Sequence, residues 1–193
     1  MEKIYSVFYS KWDKMVFSHY INRFGLDIHQ KIKELSTGMR AKFAIAAALS
    51  HHAEVIILDE PSSGLDPMAR AELIKILSEV MDREEATVVI STHITSDLDR
   101  FADYIVMMDE GRILFSEEKD ELIDGHRLVK GGLDNLDAAA PYLVGYTKNA
   151  FGFEGLTKNM AGLAGVGGLS FEKPNTEQIM EYYIKKNEGD DFN

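Results

Sequence analysis

The run VIILDEPSSGLDP at residues 55–67, followed by TVVIS at 87–91, constrains this chain more than any other feature. VIILD and TVVIS are continuous apolar runs rich in β-branched residues, the pattern of strands buried on both faces. Between them, Asp66 followed by Pro67 reads as a helix N-cap and first helical residue. Leu73, Ile74, Leu77, Val80 and Met81 then give that helix an apolar side. A strand, a crossover helix and a second strand make a parallel pair, so 55–91 is one β-α-β unit. The C-terminal tips of such strands are where α/β folds place their ligand sites. Asp59 and Glu60 stand at one tip and His93 just beyond the other. Adjacent strand residues point to opposite faces, so Asp59 and Glu60 do not form an acid/base couple on one substrate atom. The pair predicts two separate tasks.

Upstream, residues 2–34 read as helical and aromatic, with Trp12, Val16, Tyr20 and Phe24 on one stripe and Gly25 as a stop. KELSTGMRAKFAIAAALSHH follows as a small-residue turn opening an Ala-rich helix. Ser36 is placed to cap it, leaving free amides around residues 37–40. Downstream, a short helix is expected over 95–101. A hairpin is expected over 104–115, turning at Glu110 and Gly111. From His126 the chain becomes rich in glycine and alanine without clear periodicity, and a boundary is expected near 125–131. PNTEQIMEYYIKK closes the chain as a helix capped by Asn175 or Thr176, with Ile179, Met180, Tyr183 and Ile184 apolar.

Composition removes several classes of function. The net charge of −11 argues against holding a nucleic-acid backbone by bulk electrostatics. With no cysteine there is no disulfide framework, thiolate zinc site or cysteine nucleophile. Apolar runs such as AIAAAL fall far short of the ~20 residues that cross a bilayer. The opening MEKIYSVFYSKWDK is too interrupted by charge to be a signal peptide.

Four stretches carry the chemistry: LSTGMR (35–40), VIILDEP (55–61), SSGLDP (62–67) and STH (91–93). In this order and spacing they resemble the nucleotide-binding domain of ABC ATPases. LSTGM is similar to the signature loop, VIILDE to Walker B with its following glutamate, SSGLD to the D-loop, and His93 to the switch histidine. Thr37 stands where that family has glycine, a mild departure. The resemblance implies an α/β, P-loop NTPase-like parallel sheet with flanking helices and a small α+β C-terminal appendage. It assigns 1–34 to a helical subdomain, 35–125 to the C-terminal part of the ATPase domain and 126–193 to an accessory region. It also implies ATP and Mg²⁺ as cofactors. Asp59, an anion at a strand tip, is suited to Mg²⁺, and Glu60 to polarising an attacking water. His93, ending the next strand, is suited to touching the γ-phosphate and that base. Ser36, Thr37 and Gly38 open a helix whose amides and dipole suit a phosphate. Asp66 is a helix cap and, by the resemblance, a contact across an ATPase dimer. The other histidines (His19, His29, His51, His52 and His126) read as surface or packing.

The phosphate loop G-x-x-x-x-G-K-[ST] occurs nowhere in the chain. GLAGVGGLS holds no lysine, and Lys158 is followed by asparagine. Gln30 lies too close to the signature to serve as the Q-loop glutamine. The chain is therefore expected to begin inside the helical subdomain, without the Walker A strand, and to leave apolar sheet edges unpaired. Losing the loop removes most of the phosphate contacts, so the chain alone is expected not to bind ATP usefully. The implied function is the ATP-hydrolysing subunit of an ABC transporter, its tail similar to those of small bacterial peptide and antibiotic exporters. The implied partners are a second ABC ATPase domain, identical or not, and a transmembrane permease subunit, with no nucleic acid. The implied location is the cytoplasmic face of the cell membrane. Two alternatives remain: a non-catalytic partner lending its signature loop in trans, and a soluble non-transport ABC ATPase.

Overall fold

The computed structural model describes residues 6–82 and 86–189, with side chains as far as 185. It divides into two compact units, residues 1–94 and 95–193.

The first unit contains α1 (Lys14–Arg23). Asp13 caps it, its carboxylate accepting from the amides of Met15 at 2.8 Å and Val16 at 3.0 Å. Gly25 ends it at φ +66°, a left-handed position that glycine takes without a Cβ clash. Of the residues 2–34 expected to be helical, 6–8, Lys14–Arg23 and a 3-10 turn at Ile32–Glu34 are so, with Asp13 starting the longest helix and Gly25 stopping it as expected; residues 1–5 lie outside the described residues. The apolar stripe is largely kept, with Phe17, Tyr20, Ile21 and Phe24 buried and Trp12 and Val16 packed beside them. Then come α2 (Thr37–Leu49), β1 (Val55–Asp59), α3 (Pro67–Asp82) and β2 (Thr87–Ser91). Arg23 ties α1 to α3 through ion pairs with Glu72 and Glu79.

β1 and β2 are parallel, with Val55 opposite Thr87 and Asp59 opposite Ser91. Ile56 and Leu58, with Val88 and Ile90, pack on Phe17, Phe43, Ile76 and Leu77. On the opposite face Val55, Ile57 and Val89 are exposed. The strands are therefore buried on one face, where continuous hydrophobicity predicted two. Their composition fits a sheet covered on both sides, but within this unit the helices pack on one side alone.

The second unit contains α4 (Thr95–Phe101) and the antiparallel hairpin of β3 (Tyr104–Asp109) and β4 (Arg112–Glu118). Glu110 and Gly111 both have positive φ, +45° and +76°, the geometry of a tight hairpin turn. α5 (Lys119–Gly125) leads into β5 (Arg127–Gly131), α6 (Leu136–Ala139), β6 (Gly145–Asn149), β7 (Gly152–Thr157), α7 (Met160–Leu163), β8 (Ser170–Glu172) and α8 (Thr176–Gly189). The last four strands form one sheet in the order β6-β7-β5-β8 with every neighbour antiparallel, a split β-α-β arrangement. One face carries Leu128 and Leu156 against Ile179 and Tyr182 of α8. The other carries Val129 and Phe153 against Leu136, Ala139 and Leu163. Asn175 caps α8 reciprocally, accepting from the Gln178 amide at 2.8 Å while its own amide donates to the Gln178 side chain at 3.0 Å. The hairpin and α5 share a core with α8 through Ile105, Met107, Phe115 and Leu122. Packing therefore divides the chain after Ile94, ahead of the change in composition near 125–131.

Candidate functional site

The site residues read from the sequence fall into two groups, both in the first unit. The first lies at the C-terminal ends of β1 and β2. Asp59 ends β1 and is exposed. Glu60 follows in a left-handed conformation, φ +45°, which breaks the strand and turns its side chain away from the direction of Asp59. That turn is fixed across the sheet: the Glu60 amide donates to the Ser91 carbonyl at 3.0 Å and lies 3.2 Å from the Ser91 hydroxyl. The same hydroxyl donates to Oδ1 of Asp59.

His93 follows β2 on a turn in which the Thr92 hydroxyl accepts from the Ile94 amide at 3.0 Å. Its Nδ1 lies 2.8 Å from Oε2 of Glu60. The contact lacks the alignment of a hydrogen bond, so Oε2, shielded from solvent, has no hydrogen-bond partner. A buried acceptor in this state is suited to taking a proton or a water molecule.

The second group surrounds the start of α2. Ser36 caps the helix, its hydroxyl accepting from the Met39 amide at 3.2 Å. Asp66 caps α3, its carboxylate accepting at 3.0 Å from the amides of Met68 and Ala69. The Ala69 amide foremost, with the Met68 amide and the Lys42 ammonium, holds this carboxyl below its usual range against some desolvation. Gly64, at φ +73°, makes the tight turn that brings this loop back onto α2. A Cβ at Gly38 would come 3.3 Å from the Gly64 carbonyl oxygen, so a side chain there would make the Gly64 loop give by a few tenths of an ångström. Between them is a cleft of about 370 Å³ lined by Ser36, Thr37, Gly38, Lys42, Gly64 and Asp66. A larger cleft, about 490 Å³, is lined by residues of α1, the end of α2, β1 and α3, among them His19, Arg23 and His52. It contains none of the predicted site residues, and its size alone gives it no chemistry.

Among the described residues, no group of three or more histidines and carboxylates is placed to hold a metal ion unaided. A cation at the β1 tip would therefore have at most two such ligands among the described residues, Asp59 one of them, and keep its waters. That is a donor set Mg²⁺ accepts and Zn²⁺ does not favour. Three contributors were not read from the sequence: Ser91, Lys42 and Gly64. Ser91 was legible in principle, because pairing VIILD with TVVIS in parallel puts it opposite Asp59.

Comparison with known proteins bears on the same residues. A model of the family described as "AAA domain, putative AbiEii toxin, Type IV TA system" matches residues 16–98. The chain is 31% identical over 123 residues to the energy-coupling factor transporter ATP-binding protein EcfA2 of Enterococcus faecalis, covering 64% of this chain and 43% of that protein. It is 38% identical over 102 residues to the lantibiotic transport ATP-binding protein SrtF of Streptococcus pyogenes, covering 52% and 44%. The chain thus spans less than half the length of the curated relatives it matches. Among solved structures it resembles cbiO1 from Clostridium perfringens, part of the ABC transporter complex cbiONQ. There the identity is 30%, the TM-score 0.46, and the match covers 57% of this chain and 45% of that one.

Proposed function

We propose that this chain, whose relatives are ABC transporter ATP-binding proteins and which carries part of an ABC ATPase domain, supplies one side of an ATP site shared between two such domains. The observation that carries the reading is the convergence of Asp59, Glu60 and His93 at the ends of a parallel strand pair. Asp59 would meet the Mg²⁺ that accompanies ATP, through its waters or directly. Glu60 would accept a proton from the attacking water, with His93 beside it to orient both base and γ-phosphate. Ser36, Thr37 and Gly38 would present the amides of α2 to a phosphate bound by the other domain, with Asp66 facing that domain, while Asp59, Glu60 and His93 would act only where a phosphate loop stands on their own side. The partners in this reading are a second ABC ATPase domain and a membrane-embedded permease, with the chain on the cytoplasmic face. The direction read from the tail is export.

The 193 residues contain no phosphate loop, so the chain by itself is expected to show no saturable binding of a fluorescent ATP analogue. Tight, saturable binding would overturn the shared-site reading. With an upstream phosphate loop restored to this chain, Glu60→Gln should leave nucleotide binding intact and slow hydrolysis by roughly 100-fold or more. Equal turnover removes Glu60 from the role of base.

A further inference from the structure

We infer that Ser91 is a positioning residue of this site, its hydroxyl fixing the Asp59 carboxylate and the Glu60 backbone in one arrangement. The inference rests on the reading of Asp59 as the carboxylate that meets Mg²⁺. A serine hydroxyl has one proton to donate and two lone pairs. Here the proton goes to Oδ1 of Asp59, and the oxygen faces the amide of Glu60. The parallel register places Ser91 directly opposite Asp59, so both contacts follow from strand pairing rather than from a mobile loop.

The consequences differ for the two carboxylates. Asp59 has one oxygen engaged, which favours a single rotamer for an otherwise exposed side chain. Glu60 stands in a left-handed backbone conformation that a residue with a Cβ keeps only when its surroundings over-determine it. The carbonyl and hydroxyl of Ser91 both serve its amide. All of these contacts are solvent-exposed, so their weight in folding is small and their effect is on position. The strand itself has no need of a serine, because threonine or an apolar residue suits β geometry better. Second-layer groups that orient a metal ligand commonly change metal affinity by roughly 10-fold or more when removed.

The test uses the full chain, with Ser91→Ala, Ser91→Thr and Asp59→Asn as variants. Three-bond couplings between Hα and Hβ of Asp59, measured by NMR, report whether its side chain keeps one rotamer. Paramagnetic broadening of the residue-59 Hβ resonances by added Mn²⁺ reports cation affinity at this position, apart from the chain's other carboxylates. The expected result is a single Asp59 rotamer in the parent chain, averaging in Ser91→Ala, and recovery in Ser91→Thr, with an unchanged unfolding midpoint throughout. Mn²⁺ affinity should fall in Asp59→Asn and, by roughly 10-fold, in Ser91→Ala, and return in Ser91→Thr. An Asp59 side chain equally fixed in Ser91→Ala overturns the positioning role. Loss of the rotamer together with Mn²⁺ affinity indifferent to Asp59→Asn instead overturns the assignment of Asp59 to the cation, so the two failures are told apart.

Discussion

In the parallel pair, Ile56 is 5% exposed while its neighbour Ile57 is 75% exposed; in the four-stranded sheet the neighbours Leu128 and Val129 are 2% and 0% exposed. Each strand alternates its side chains between two faces. In the second sheet both faces meet protein: α8 covers one, and α6 and α7 the other. In the first, one face meets α1, α2 and α3 while the other lies open. The contrast separates two uses of a sheet. The four-stranded sheet is a closed core whose residues do their work by being buried. The parallel pair is a platform, and what distinguishes it lies at its tips, where Asp59, Glu60 and His93 collect.

The strongest way to break this comparison is a cavity. Leu156 is fully buried between β5 and α8, so Leu156→Ala should destabilise the chain by about 3 kcal/mol in urea unfolding followed by circular dichroism. A loss below about 1 kcal/mol would mean that the sheet is less closed than its packing indicates.

The closed core also holds a titratable group. His126 is inaccessible to solvent; its Nδ1 donates to the Leu122 carbonyl at 2.6 Å, and its Nε2 accepts from the Tyr183 hydroxyl at 3.1 Å. The neutral ring satisfies both contacts. Burial, ahead of the Leu122 carbonyl that favours the charged form, pushes its pKa down, with Lys158 pushing the same way and Glu117 opposing. A histidine depressed in the folded state leaves the unfolded chain binding more protons. Its contribution is therefore intact above the ordinary histidine pKa of about 6.5 and is lost as pH falls through the lower folded value. The urea midpoint of the second unit should drop across that range, and His126→Gln should flatten the drop. An identical pH profile in the variant would show that carboxylates elsewhere set the acid sensitivity.

The same division explains what could be read from the sequence. Caps at Ser36, Asp66 and Asn175 are local signals, each a side chain bonding amides within three residues, and each stands where it was expected. The β1–α3–β2 unit was legible because its hydrophobic runs are continuous and the helix between them is capped. The four-stranded sheet was not. β6 reads GYTKN and is exposed along nearly its whole length, so it carries no alternation to detect. Its partners rely instead on close glycine contacts, such as Gly152, where a Cβ would meet the Gly131 carbonyl oxygen at 2.4 Å. Pairings of this kind depend on residues distant in sequence. In the first unit Lys42, Gly64 and Ser91 were missed, and although Ser91 lies within STH, its place opposite Asp59 depends on strand register.

A smaller effect, of opposite sign, is expected at the platform's tip. Glu60 holds φ +45°, a conformation that costs a residue with a Cβ about 1 kcal/mol and costs glycine little. Glu60→Gly should therefore raise unfolding stability by about 1 kcal/mol while removing the proposed base, the exchange expected where a functional residue is held under strain. Glu110, at the same φ in the β3–β4 turn, is the control: Glu110→Gly should stabilise similarly with no consequence for nucleotide chemistry. Destabilisation by Glu60→Gly would mean that its side-chain contacts outweigh the backbone strain.

The smallest effect belongs to the open face. Ile57 is exposed in the folded chain almost as it is in the unfolded one, so replacing it removes little burial. Ile57→Thr keeps β-branching and the strand's hydrogen bonds, and the change in unfolding free energy should stay within about 0.5 kcal/mol. That near-zero value is informative because Ile56, one residue away and facing the core, sets the scale for the buried side; Ile56→Ala should cost about 3 kcal/mol. If Ile57→Thr instead costs about 1.5 kcal/mol or more, the face is covered in solution and the platform is not open. Repeating the unfolding at a tenfold higher protein concentration then identifies the cover, because only association with another copy makes the loss depend on concentration.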